Sequence, residues 1–169
     1  MKKDKLSATA SEASMDSIQL VASLLMCFPE MGKVTLDSDE DGVWLDFTLQ
    51  KIPEEERLAE ADRLITDSLR LYHEIEGICD ARLAFFYEKR ALHIFRDIDS
   101  LSKTEIDMLV ALVKDCFGDF LLTDAVRNVD EDVLYSQSEM IDHRIRFLRE
   151  YHIRENMVGI REEGRVMVY

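Results

Sequence analysis

The acidic stretch Asp37-Ser38-Asp39-Glu40-Asp41-Gly42 has the residue types and spacing that come nearest to a chemistry. It matches the opening of a calcium-binding EF-hand loop, where alternate carboxylates supply hard oxygens and a glycine permits the sharp turn. Asp37, Asp39 and Asp41 are the calcium candidates. The rest of the motif is missing: Thr48 stands where a bidentate glutamate belongs, and the flanks read as strands. A solvated hairpin turn that uses Asp and Gly for their turn chemistry accounts for the same residues.

Three other groupings could do chemistry. Asp46, Asp97 and Asp99 would make a divalent-metal site for an enzyme if separate elements brought them together, although Asp97-Ile98-Asp99 alone lacks a third ligand. His93 with Cys79 or Cys116 could pair a base with a nucleophile. Against that, Cys116 falls on an apolar helical stripe beside Phe117, and Cys79 follows a helix stop, the negative end of the dipole. Arg144, Arg146, Arg149 and Arg154, with Phe147 and Tyr151, could grip phosphate. Glu139, Asp142, Glu150 and Glu155 interleave with them, which reads as a charge-laced helix face. His73, His143 and His152 show no ligand spacing. No Walker loop, G-x-G-x-x-G, G-x-S-x-G or H-E-x-x-H occurs. The expectation is therefore no catalytic residue and no cofactor.

Composition narrows the partners. The chain has 169 residues, 47% hydrophobic and 33% charged, and a net charge of −14. Such a field disfavours nucleic acid and anionic membranes as partners. No apolar run reaches transmembrane length, and the basic start is not followed by the apolar core of a signal peptide. The three cysteines are widely spaced, without a Cys-x-x-Cys, so neither a disulfide framework nor a zinc ribbon is supported. The expectation is a cytoplasmic protein.

The elements that would position these residues centre on Ala81–Ile98, a β-hairpin turning at Lys89-Arg90. A symmetric turn sets Tyr87 opposite Leu92, Phe85 opposite Ile94, Phe86 opposite His93, Ala84 opposite Phe95 and Arg82 opposite Asp97, the last a plausible ion pair. Alternation puts Leu83, Phe85, Tyr87, Leu92 and Ile94 on one face, yet Phe86 and Phe95 remain on the other. A half-exposed hairpin would be polar on one side. Something should cover Phe86, His93 and Phe95: the 14–27 or 131–151 helix, or a second copy of the chain.

Around this hairpin the pattern predicts a frayed, disordered 1–12 and a helix capped by Ser14 and ended by Pro29. A hairpin over Lys33–Gln50 follows. Next comes a long helix after Pro53, with a buried stripe of Leu58, Ala61, Ile65, Leu69, Tyr72 and Ile75, stopped at Gly77. Ser102-Lys103-Thr104-Glu105 is a capping box for the next helix, stapled by Leu101 and Ile106 and ended by Gly118. A short strand over Phe120–Thr123, a loop over 124–132, a helix around 131–151 and a hairpin needing Gly159 and Gly164 complete the chain. The fold class is α+β, an antiparallel sheet with helices. The order β-α-β-β-α-β over residues 43–123 resembles the ferredoxin-like fold. The alternative is three successive helix-hairpin modules, at 14–49, 54–98 and 131–169. Residues 13–123 would form the core domain, with 131–169 packed on or extending it.

With an apolar second sheet face and no chemical constellation, the expected function is non-enzymatic protein–protein association. A homodimer through Phe86, His93 and Phe95 is the simplest form. Two alternatives stand beside it: a small-molecule-responsive regulatory domain, by analogy of fold, and an acidic-residue, metal-dependent enzyme.

Overall fold

Local signals set most element boundaries. In a computed structural model, which describes the backbone of residues 2–124 and 129–169 and the side chains of 15–124 and 129–169, Ser102 Oγ accepts the Glu105 N–H and opens α3 (Lys103–Phe117). Gly77 adopts the left-handed conformation that ends α2 (Glu55–Glu76) and donates to the Glu74 carbonyl, the usual glycine C-cap. The carboxylates of Glu55 and Glu56 sit in the first turn of α2, where the helix dipole favours them. No helix of the described residues is long and apolar enough to cross a membrane.

The strands are β1 (Met31–Asp37), β2 (Gly42–Thr48), β3 (Leu83–Glu88), β4 (Ala91–Asp97), β5 (Met157–Glu162) and β6 (Arg165–Val168), and the remaining helices are α1 (Lys2–Cys27) and α4 (Glu131–Tyr151). The result is an α+β fold with one six-stranded antiparallel sheet in the order β3-β4-β2-β1-β5-β6. Helix followed by hairpin occurs three times along the chain, as α1-β1-β2, α2-β3-β4 and α4-β5-β6, with α3 between the second and third. The C-terminal hairpin joins the same sheet, because β5 pairs with β1.

Strand alternation sorts side chains to two faces. Val34 and Leu36, Val43, Leu45 and Phe47, Leu92 and Ile94, and Leu83, Phe85 and Tyr87 share one face, as their cross-strand pairing requires. The helices cover this face. The Phe117 ring of α3 meets Tyr87 at 6.1 Å. α1 lies so close over β5 that a Cβ on Gly159 would come within 2.1 Å of Val21. α4 packs along α1 and reaches α3, where Asp142 accepts the Lys103 N–H at 2.8 Å. One continuous core joins Leu20, Leu24, Ile65, Leu69, Leu109, Val113, Ile141 and Ile145 to the strands.

Several expectations are corrected. The first helix does not start at a Ser14 cap; α1 runs from Lys2, since Ser-Ala-Thr-Ala-Ser-Glu-Ala contains neither Gly nor Pro to interrupt it. The Phe120–Thr123 strand is a 3-10 turn, Gly118–Phe120, followed by a single bridge from Leu121 to Leu49. β1 already occupies the ladder beside β2 that a fourth strand of a β-α-β-β-α-β unit would take. Ile75 is exposed and His73 is buried in its place on α2. Gly159 serves the close approach of α1 instead of a turn. Of the 124–132 loop, residues 125–128 lie outside the described residues.

Candidate interaction face and buried polar cluster

The second sheet face carries no helix among the described residues. It presents Lys33 and Thr35, Trp44 and Asp46, Ala84 and Phe86, His93 and Phe95, and Val158, Ile160 and Met167, each set by the same in-register pairs. Its centre is an aromatic cluster. The Trp44 ring lies 5.5 Å from Phe86 and 5.1 Å from Phe95, and Phe86 stacks on His93 at 4.7 Å. The Arg82 guanidinium sits 5.6 Å from the Phe95 ring. Gly42 makes room for that ring, because a Cβ there would lie 2.2 Å from Phe95 Cζ.

The three residues read from sequence as an interface are thus neighbours, but they differ in access. Phe86 is 43% exposed, whereas Phe95 is 6% exposed beneath its own aromatic neighbours. Neither the 14–27 nor the 131–151 helix covers them. His93 Nδ1 lies 2.8 Å from Asp46 Oδ1, which fixes the ring, and burial pushes the Asp46 carboxyl up against the opposing pull of His93. Besides the Asp46–His93 pair, the charged side chains that alternation places on this face within β1, β3, β5 and β6 are Lys33 and Arg165 against Asp37, Glu88 and Glu162, with Glu88 3.9 Å from His93 Nε2, nearly balanced in a chain of net charge −14.

The carboxylates proposed as metal ligands do not converge. Asp37 Oδ1 accepts the Asp39 and Glu40 N–H groups at 3.0 and 3.1 Å, the turn chemistry of an Asx motif. Asp41 turns to the α4–β5 connection, accepting the Ile153 N–H at 3.0 Å and lying 2.9 Å from His152 Nδ1. Asp46 and Asp97 point to the same face but are about 13 Å apart along the strands, with Trp44 and Phe95 between. Among the described residues no three His, Cys, Asp or Glu side chains gather into a metal site. His93 is on the open face, while Cys116 belongs to α3 and Cys79 follows α2, so no thiol adjoins that imidazole. Burial raises the Cys116 and Cys27 thiols, the reverse of activation. Of the basic stretch, Arg144 and Arg149 turn inward while Arg146 and Arg154 stay exposed. Arg144 donates to Ser23 of α1 and to Gln137 of α4, and Arg149 to the Leu101 carbonyl at 2.8 Å.

Sequence reasoning missed the cluster around Arg96. This guanidinium has 0% exposure and donates from Nε and Nη2 to the two oxygens of Glu105 at 2.6 and 2.8 Å. It also donates to Asp97, to Ser100 Oγ at 2.9 Å and to the Arg82 carbonyl at 3.0 Å. His73 Nε2 completes the set, 2.5 Å from Glu105 Oε1. The expected Arg82–Asp97 ion pair is replaced: Asp97 takes Arg96 and the Arg82 backbone N–H, and the Arg82 side chain turns to Glu40. Glu105 keeps only half of the capping box, accepting Arg96 instead of the Ser102 N–H. The signal was parity, since Arg96 alternates with Leu92 and Ile94 on the core face and a buried arginine needs a buried carboxylate.

Burial would raise the Asp97 carboxyl, but the Arg82 N–H, Ser100 and the Arg96 guanidinium together hold it below the usual aspartate range. Burial likewise works against the charged Arg96, and Glu105 and Asp97 overcome it. Beside His73 a cleft of about 580 Å³ opens between the C-terminal end of α2 and β3, bordered by Arg70, Glu74, Cys79 and Leu83.

The architecture defines an α+β protein with a one-sided sheet and an aromatic face left open. Comparison with known families, with curated proteins and with solved structures finds no match for this chain.

Proposed function

We propose that this protein acts by association, most directly with a second copy of itself, through the corner of the open face built from Trp44, Phe86, His93 and Phe95. The observation that carries the reading is the exposure of Phe86, 43%, on a sheet face that no helix covers among the described residues. A face of near-balanced charge on an acidic chain supports a like partner over a strongly basic one, because two such faces can meet without opposing fields.

The size of the face sets the strength. Even the whole face, six strands about 4.8 Å apart and about 20 Å long, has a footprint on the order of 500 Å². A standard interface takes about 800 Å² from each partner, so a contact through one corner is expected to be weak and reversible. Sedimentation equilibrium from about 1 to 100 micromolar should show a monomer–dimer equilibrium that tightens with salt, as the net charge of each copy is screened. A monomer throughout that range refutes the reading. The charge, and the lack of any transmembrane-length helix among the described residues, support a cytoplasmic setting without nucleic acid or membrane as partner. We read β2-α2-β3-β4 as a ferredoxin-like half, with α3 following, on the strength of strand order alone.

The cleft beside His73 supports a second reading, a small-molecule-responsive domain. A metabolite panel read by thermal shift tests it, since binding to the native state raises its melting temperature.

A further inference from the structure

β3 is the outermost strand of the sheet. Its hairpin closes with Glu88 paired to Ala91, and the Asp97 N–H donates to the Arg82 carbonyl. Antiparallel alternation then points the N–H and C=O groups of Arg82, Ala84, Phe86 and Glu88 toward β4. Those of Leu83, Phe85 and Tyr87 point outward, and none of them has a hydrogen-bond partner among the described residues. Edge strands are commonly guarded by a proline, a bulge or an inward charge. Leu-Ala-Phe-Phe-Tyr-Glu has none of these in its first five positions.

We propose that the second copy adds here, β3 against β3, antiparallel about a two-fold axis at Phe85. This rests on the self-association reading above and places the contact along the strand edge beside the aromatic corner, with the rest of the open face left uncovered. The strand is complementary to itself in that register. Phe85 faces the partner's Phe85, Leu83 faces the partner's Tyr87, small Ala84 faces the partner's exposed Phe86, and Arg82 faces the partner's Glu88. All the outward groups are used, about six hydrogen bonds in all. A slip of the axis by one residue either way keeps the hydrogen-bonding parity but fails on charge. One slip sets Glu88 against the partner's Asp80, the other Arg82 against the partner's Arg90. The Arg82 and Glu88 side chains are 48% and 68% exposed, and pairing with a partner would draw Arg82 from Glu40 and Glu88 from His93.

Charge reversal tests the register on the full chain, with circular dichroism confirming each fold. R82E or E88R alone should weaken dimerisation about tenfold, because two like-charge contacts replace two ion pairs in each dimer. R82E/E88R in one chain should restore it. A mixture of the R82E and E88R proteins should form heterodimers in preference to either homodimer, since both cross-strand pairs become complementary. A wild-type dimer indifferent to these reversals overturns the edge pairing while leaving self-association standing. A monomeric wild-type chain overturns both.

Discussion

Replacing Arg96 by Met tests the buried polar cluster with little change of volume. In R96M, Asp97 still accepts from the Arg82 N–H, the Ser100 N–H and the Ser100 hydroxyl, at 2.7, 3.1 and 2.7 Å. Glu105 keeps only His73. The penalty therefore falls on Glu105, a carboxylate with 0% exposure that loses its cation. Removing one partner of a buried pair costs about 3–5 kcal/mol, a large share of the stability of a domain this size.

Urea unfolding followed by circular dichroism measures that loss at pH 7. Adding E105L to R96M should recover about 2 kcal/mol or more, because an apolar pair leaves no buried charge behind. A loss below about 1 kcal/mol for R96M, or one that E105L does not recover, would refute the assignment of Arg96 as the group that holds Glu105.

Two further outcomes follow from the fold. Gly159→Ala should cost about 1–3 kcal/mol by overpacking, since the new methyl meets Val21 of α1 at 2.1 Å; an unchanged urea midpoint would mean that α1 can lift without loss. The depressed Asp97 carboxyl contributes stability that is full above the unfolded value of about 3.9 and is lost as pH falls through the lower folded value. The stability gap between wild type and Asp97→Asn should accordingly close below about pH 4, and a gap constant down to pH 2 would contradict it.

The central hairpin was legible because a period of two and a short turn fix every pair at once. Tyr87 opposite Leu92, Phe86 opposite His93 and Ala84 opposite Phe95 all hold. The caps at Ser102 and Gly77 were legible for the same reason, being local chemistry. What could not be read depends on contacts distant in sequence. The place beside β2 goes to β1, so Phe120–Thr123 stays out of the ladder. Glu105 reads as a capping residue until Arg96 and His73 arrive from other elements to claim it. On the open face, both phenylalanines were visible as an apolar excess. Sequence gave no sign that Trp44 would lie against Phe95 over a glycine and leave Phe86 as the accessible ring.

That difference between two rings of one cluster separates docking from folding. A phenylalanine exposes about 200 Å² in an extended chain, so 43% exposure at Phe86 leaves about 90 Å² to bury, or about 2 kcal/mol for each copy at about 25 cal/mol per Å². Phe95, at 6% exposure, has almost nothing left to offer a partner and has already spent its area on the fold. The two rings of a dimer thus offer up to about 4 kcal/mol, and burying half of that area gives about 2 kcal/mol, so Phe86→Ala should weaken dimerisation by at least tens-fold, with a smaller loss of monomer stability. Phe95→Ala should do the opposite, costing about 3 kcal/mol or more of stability. Its effect on association should come only through the displaced Trp44 and Phe86. Sedimentation equilibrium and urea unfolding on the same pair of variants give both axes. If the two substitutions move both quantities alike, the cluster acts as one body and the docking energy is not concentrated at the β3 edge.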